Sequence, residues 1–108
     1  MKVGCDVVYL KRIEGKEETL SKGILSDNEL PLYLKSGRKE EFLGGRFAAK
    51  EAFLKAKGTG LTGISLKSVE ILPLDSGEPI LRFEGKTYPI SISHDGEYAF
   101  AVCVLEEL

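Results

Sequence analysis

Residues 2–8 (KVGCDVV) form a short apolar, β-branched run that predicts a buried strand, with one acid, Asp6, inside it. Charged residues dominate 9–22, where Leu10, Ile13 and Leu20 recur at wide intervals. That pattern predicts a weak amphipathic helix, interrupted near Gly15 and ended by Gly23. Ser26-Asp27-Asn28-Glu29 offers N-cap residues and an acid for a short helix over about 27–35, with Pro31 tolerated in its first turn. The longest periodic stretch is 39–57, KEEFLGGRFAAKEAFLKAK, which reads as a helix closed by Gly58. Phe42, Phe47, Ala48, Ala52, Phe53 and Ala56 mark its inner side. Gly44 and Gly45 each cost a helix about 1 kcal/mol, so the pair predicts either a kink or a close backbone contact.

Beyond Gly63 apolar and polar residues alternate between turn signals, predicting strands at about 64–73, 79–84, 88–93 and 98–106. Asp75-Ser76-Gly77, Glu84-Gly85-Lys86 and Asp95-Gly96 supply the turns. One strand, then helices, then a run of hairpin-linked strands is an α+β arrangement: an antiparallel sheet packed with one long and two shorter helices. At 108 residues it is expected to be a single domain spanning 1–108.

Composition narrows the class. With 43% hydrophobic and 30% charged residues the chain can build a core, and no run reaches the ~20 apolar residues of a membrane span. The N-terminal residues lack signal-peptide character, so a cytoplasmic protein is expected. Cys5 and Cys103 are far apart and are expected to be reduced, buried thiols. A single His and no Cys/His cluster argue against structural zinc. The net charge of −2 hides an asymmetry. Lys35, Arg38, Lys39, Arg46, Lys50, Lys55 and Lys57 face only Glu40, Glu41 and Glu51 in that stretch, whereas from Glu70 to Leu108 there are eight acids and two basic residues. A basic middle on an acidic chain fits a small anionic ligand better than bulk nucleic acid.

Several residues could carry chemistry. Asp6 in a strand and Glu51 on an apolar helix are either salt-bridge partners, for example Glu51 with Lys55, or a carboxylate pair for Mg²⁺. Magnesium needs only one or two protein carboxylates and completes its shell with water and phosphate oxygens. Arg46, Lys50 and Lys55 fall on one helical side, as a solvated stripe or as a phosphate site. His94, in Ser91-Ile92-Ser93-His94-Asp95, ends a strand where polar groups meet ligands or simply solvent. Ser93, His94 and Asp95 are adjacent, which defeats triad geometry, and no G-x-S-x-G elbow exists. Gly58-Thr59-Gly60 follows a helix and lacks the Gly-Lys-Ser/Thr ending of a P-loop.

The ordered segments Val3-Gly4-Cys5-Asp6, Lys11-Arg12-Ile13, Gly45-Arg46-Phe47-Ala48-Ala49-Lys50-Glu51-Ala52-Phe53-Leu54-Lys55, Gly58-Thr59-Gly60 and Ser91-Ile92-Ser93-His94 resemble the holo-acyl-carrier-protein synthase type of 4′-phosphopantetheinyl transferase. The resemblance runs from Met1 to about Glu107. It implies transfer of the 4′-phosphopantetheine arm of coenzyme A to a serine of apo-acyl carrier protein, with release of adenosine 3′,5′-bisphosphate, in fatty acid biosynthesis. It implies Asp6 and Glu51 as Mg²⁺ ligands, and Arg46, Lys50 and Lys55 around the coenzyme A phosphates. Gly58, Gly60, Ser93 and His94 would line the nucleotide site, and Arg12, with Lys11, would dock the acidic carrier. It also implies a homotrimer with coenzyme A between subunits. The proton acceptor for the serine stays open among Glu51, a bound water and a desolvated Lys55, with Lys55 last because a lysine base needs a large downward pKa shift.

One feature departs from that family: a helix common before the S-I-S-H strand is replaced by the turn Glu84-Gly85-Lys86-Thr87. Two other functions remain from the residues alone. A non-catalytic module for an acidic helical partner or a nucleotide would use the same basic helix but has no need of Asp6 and Glu51. An RNA-binding α+β domain would want a basic sheet, and the sheet half here is acidic.

Overall fold

The computed structural model describes residues 1–58 and 63–106. Strand β1 (Lys2–Tyr9) runs into a 3₁₀ turn at Leu10–Arg12, then helices α1 (Glu17–Ile24), α2 (Leu30–Lys35) and α3 (Lys39–Lys57). A 3₁₀ turn at Leu66–Ser68 precedes β2 (Glu70–Pro73), β3 (Pro79–Phe83), β4 (Lys86–Asp95) and β5 (Tyr98–Leu105). The five strands form one antiparallel sheet in the order β1-β5-β4-β3-β2. The chain thus puts its first strand beside its last, and β2 is a free edge.

Local chemistry sets most boundaries. Gly58 ends α3 at φ +82°, and its N–H donates to the Leu54 and Lys55 carbonyls. The β3–β4 connection is a two-residue hairpin with Glu84 at φ 51° and Gly85 at φ 79°, the turn expected there. α2 starts later than expected, because Ser26–Glu29 closes its own turn through Glu29 N–H to the Ser26 carbonyl. The strand expected at 64–73 is also shortened. Ser65 Oγ accepts from Lys67 N–H and caps a 3₁₀ turn, so ladder pairing begins only at Glu70. Burial alternates in both conformations, and alternation alone does not distinguish them.

α3 crosses the inner face of the sheet, where Val8, Ile71, Leu81, Ile90, Ala101 and Cys103 are buried. Phe53 packs its ring 5.3 Å from Phe83 and 5.1 Å from Tyr88. The helix is buried on more than the expected side: Leu43 and Leu54 are fully enclosed, while Phe42 and Phe47 are only half-buried. α1 and α2 pack on α3 away from the sheet and require this second apolar side. Gly44 and Gly45 lie in an unbroken helix and serve close contact. A Cβ on Gly45 would stand 3.0 Å from His94 Nε2, and one on Gly44 would meet Leu10.

The outer face of the sheet is different. Val3 and Val7 are 59% and 60% exposed, and Cys5 between them is exposed too, which corrects the expectation of a fully buried strand and two buried thiols. Cys103 is enclosed, and burial pushes its thiol up to about 11.

Candidate active site

Alternation along β1 turns Gly4, Asp6 and Val8 toward α3. A Cβ on Gly4 would stand 1.9 Å from the Ala52 carbonyl oxygen, so only glycine lets the strand lie this close to the helix. That approach brings Asp6 to the wall of a cavity of about 440 Å³ that Glu51 also lines. Arg12 stands on the same cavity, and Leu20, Ile24 and Phe47 make it apolar on the other side. Lys55, one turn beyond Glu51, reaches Asp6 instead, with Nζ 3.0 Å from Oδ1.

The electrostatics of the carboxylate pair are uneven. Burial, and then the neighbouring Asp6 charge, raise the Glu51 pKa above the usual carboxylate value, and Lys55 opposes them. Glu51 Oε2 is enclosed and has no hydrogen-bond partner among the described residues. An unpartnered carboxylate oxygen beside a second carboxylate is unfavourable unless a proton or a cation neutralises the pair. No group of three or more His, Cys, Asp or Glu side chains converges among the described residues. The donor set is therefore two carboxylates, which suits a hard divalent ion such as Mg²⁺ and not zinc. Lys55 is held protonated by its hydrogen bond to Asp6, which raises its pKa.

A second cavity, about 280 Å³, lies toward the N-terminal end of α3, bounded by Arg38, Gly45, Arg46 and His94. Arg46 lies over the Phe42 ring at 4.1 Å and donates from Nη2 to the Ile71 carbonyl at 3.0 Å. His94 Nε2 donates to the Glu41 carbonyl at 3.2 Å, a bond that selects the Nε2-protonated imidazole. Arg38, which the motif reading did not single out, pairs with Glu41 at 3.2 Å.

The expected set of site residues therefore divides. Asp6, Glu51 and Arg12 line one cavity, with Lys55 linked to it through its ion pair with Asp6, and Arg46 and His94 line the other. Lys50 joins neither. It is fully buried, with Nζ 2.6 Å from Glu29 Oε1 and donating also to the Ile24 carbonyl, so its expected phosphate contact is corrected to a core ion pair. The three cations do not form one stripe, because α3 is covered on most of its circumference. Ser93 and His94 are likewise separated: Ser93 pairs with Phe100 on the outer face and His94 with Ala99 on the inner one. Lys11 is paired with Glu97 at 2.9 Å on the surface. Gly58 is exposed at the helix end, and Gly60 lies outside the described residues. Glu29, fully buried, is the residue that motif reading missed. No local signal marked it: Lys50 stands among apolar helix residues just as the exposed Lys55 does, and only the fold separates them.

Comparison with known proteins converges on one group. A model of the 4′-phosphopantetheinyl transferase superfamily matches residues 2–103. A holo-[acyl-carrier-protein] synthase of Oceanobacillus iheyensis is 42% identical over 112 residues, covering 96% of this chain and 94% of that protein. The fold is similar to a crystal structure of a holo-(acyl-carrier-protein) synthase from Bacillus anthracis in complex with CoA (3′,5′-ADP). Its TM-score is 0.85 at 39% identity, covering 94% of this chain and 92% of that one. The Helicobacter pylori holo-[acyl-carrier-protein] synthase in complex with coenzyme A matches at TM-score 0.82 and 26% identity, over 94% and 97% of the two chains.

Proposed function

The chain belongs to the 4′-phosphopantetheinyl transferase superfamily and is a phosphopantetheinyl transferase, and from that premise we propose that it loads apo-acyl carrier protein in a Mg²⁺-dependent reaction serving fatty acid biosynthesis. The carrier's serine oxygen attacks the β-phosphorus of coenzyme A, and the bond from that phosphorus to the bridging oxygen breaks. Adenosine 3′,5′-bisphosphate leaves with the electron pair, and the serine proton passes to a base. The observation that carries this reading is the convergence of Asp6 and Glu51 on one cavity, with Glu51 Oε2 unpartnered.

Asp6 and Glu51 would hold the Mg²⁺. When bound, the ion supplies Lewis-acid neutralisation of the diphosphate oxygens. Lys55, kept protonated by Asp6, adds a positive charge where charge develops on phosphate and is unsuited to be the base. Glu51 and a bound water are the two candidates for accepting the serine proton. Arg12 and the apolar wall of Leu20, Ile24 and Phe47 would receive an acidic carrier helix and bring its serine to the carboxylates.

The second cavity bears on assembly. Arg46 and His94 line a cavity separate from the carboxylate one, and a coenzyme A shared between neighbouring subunits would let one subunit's carboxylates meet another's Arg46 and His94. Val3, Val7, Tyr98 and Phe100 are each more than 40% exposed on the outer sheet face, an apolar row that favours self-association, and a homotrimer is the assembly proposed for it. Soluble chains rarely leave such a row uncovered.

The test is intact-mass measurement of apo-carrier protein incubated with coenzyme A, Mg²⁺ and enzyme. A gain of one phosphopantetheine group, abolished by Asp6→Ala and by Glu51→Ala, is expected. Carrier binding with no mass gain and no Mg²⁺ dependence would select the non-catalytic binding module. Wild-type rates for both variants under limiting metal would overturn the metal assignment.

A further inference from the structure

Glu29 precedes α2, and its carboxylate is completely enclosed. Oε1 accepts from Lys50 Nζ at 2.6 Å and from the Ser26 backbone N–H at 2.9 Å. Oε2 accepts from the Ile71 backbone N–H at 2.8 Å and lies 3.9 Å from Arg46 Nε. One carboxylate therefore ties the α1–α2 connection, the middle of α3 and the edge strand β2 together.

The strand contact has a particular form. Among the described residues β2 pairs only with β3, so the N–H and C=O of Ile71 that face away from β3 have no neighbouring strand there. Glu29 takes that N–H, and Arg46 Nη2 donates to that C=O at 3.0 Å. The acid and the arginine together replace a missing strand at this residue. In doing so they fix the guanidinium from one end, while the Phe42 ring supports its face at 4.1 Å. Arg46 is only 15% exposed, and its Nε is enclosed with no hydrogen-bond partner among the described residues.

Charge completes the picture. Two cations, the enclosed Lys50 and the largely buried Arg46, lean on the enclosed carboxylate of Glu29, with the charge of Glu70 also acting on Lys50. Lys50, at hydrogen-bond distance, takes most of that compensation. Arg46, at the longer distance, is less fully compensated, and it stands at the wall of a cavity that Arg38, Glu41 and His94 also line, with Glu41 paired to Arg38. An oriented, undercompensated guanidinium at a cavity wall is ready for a phosphate.

We infer that Glu29 is a positioning residue for the transfer reaction, holding Arg46 in the orientation that grips a phosphate of coenzyme A. The inference rests on the transferase reading above and on Arg46 as a coenzyme A contact. Glu29 touches no substrate; it acts through the Arg46 fork and the Ile71 backbone. Glutamine cannot replace it, because an amide offers one oxygen where two carboxylate oxygens now accept from three donors.

The experiment is steady-state transfer with coenzyme A varied at saturating carrier protein, for wild type, Arg46→Met, Glu29→Gln, Glu29→Gln/Lys50→Met and that pair combined with Arg46→Met. The paired variant removes the two fully enclosed charges, Glu29 and Lys50, together and leaves Arg46 partly exposed, so the protein stays folded if Glu29→Gln alone does not. Arg46→Met is expected to raise KM for coenzyme A by roughly ten- to a hundred-fold, the value of a charged hydrogen bond, with kcat within about threefold. The paired variant is expected to raise KM similarly, and adding Arg46→Met to it should raise KM little further, because both act through one contact. A normal KM in the paired variant beside a raised KM in Arg46→Met would overturn the positioning role. So would a lowered melting temperature with no KM change, or fully additive effects. An unchanged KM in Arg46→Met would remove the Arg46 contact and the inference with it. The transferase reading would still stand if carrier mass gain continued, and would fall only if wild-type protein showed none.

Discussion

Gly4→Ala tests whether the seating of β1 on α3 creates the carboxylate pair. The added Cβ would lie 1.9 Å from the Ala52 carbonyl oxygen and 2.7 Å from the Ala56 nitrogen, both backbone atoms of a buried helix. Ordinary contact begins at 3.4 Å, so strand and helix must separate by about 1.5 Å. Neither partner can rotate away. Overpacking of this kind costs about 3 kcal/mol, which at about 4–8 °C per kcal/mol lowers Tm by roughly 12–24 °C. A domain with about 5–15 kcal/mol of stability remains mostly folded at 25 °C, so activity can be read on folded protein. Asp6 lies two residues along the same face of β1 and must move with it. A misplacement of about 1 Å in a reacting constellation costs roughly 100-fold, so kcat/KM should fall by about that factor or more. The assays are thermal unfolding and carrier mass gain. Gly23→Ala in α1 is the control: its Cβ meets nothing within 4 Å, and it should stabilise by about 0.5–1 kcal/mol with full activity. If Gly4→Ala melts within about 2 °C of wild type and transfers within about twofold, the argument from strand seating is wrong.

Three more outcomes are expected. Because the folded-state pKa of Glu51 is raised, its contribution to the metal-free protein is full below the ordinary carboxylate pKa and is lost as pH climbs through the raised value. Glu51→Gln should therefore be more stable than wild type at neutral pH without metal, the gap closing in acid, and should lose the Mg²⁺-induced rise in melting temperature; an equal rise in both proteins would remove Glu51 from the ion. Arg12→Glu should weaken carrier-protein affinity and flatten its salt dependence while leaving coenzyme A binding within about twofold, as measured by titration calorimetry; equal loss of both would refute the docking role. Val7→Asp on the exposed outer face of β1 should convert a trimer to monomer in light scattering, and an unchanged mass would show that this face is not the subunit contact.

Local chemistry written in consecutive residues was legible without a fold. α3 runs from Lys39 to Lys57 and stops at Gly58, as its helix formers and terminal glycine require, because each condition is met within one helical turn. The hairpin turns at Asp75-Ser76-Gly77 and Glu84-Gly85 were readable for the same reason. So was the pairing of Asp6 with Glu51 as candidates, since a strand acid and an acid on an apolar helix each demand an explanation. Tertiary packing decided the rest. Lys50 looks identical in sequence to its basic neighbours, and only the arrival of Glu29 from the α1–α2 connection turns it into a core ion pair. Ser93 and His94 are adjacent in the chain yet face opposite sides of the sheet, so adjacency said nothing about which of them shares a cavity with Arg46. Val3, Cys5 and Val7 are apolar enough for a core, but the helix covers one face of β1 only. Burial is a property of what comes from elsewhere in the chain, and no window of consecutive residues contains it.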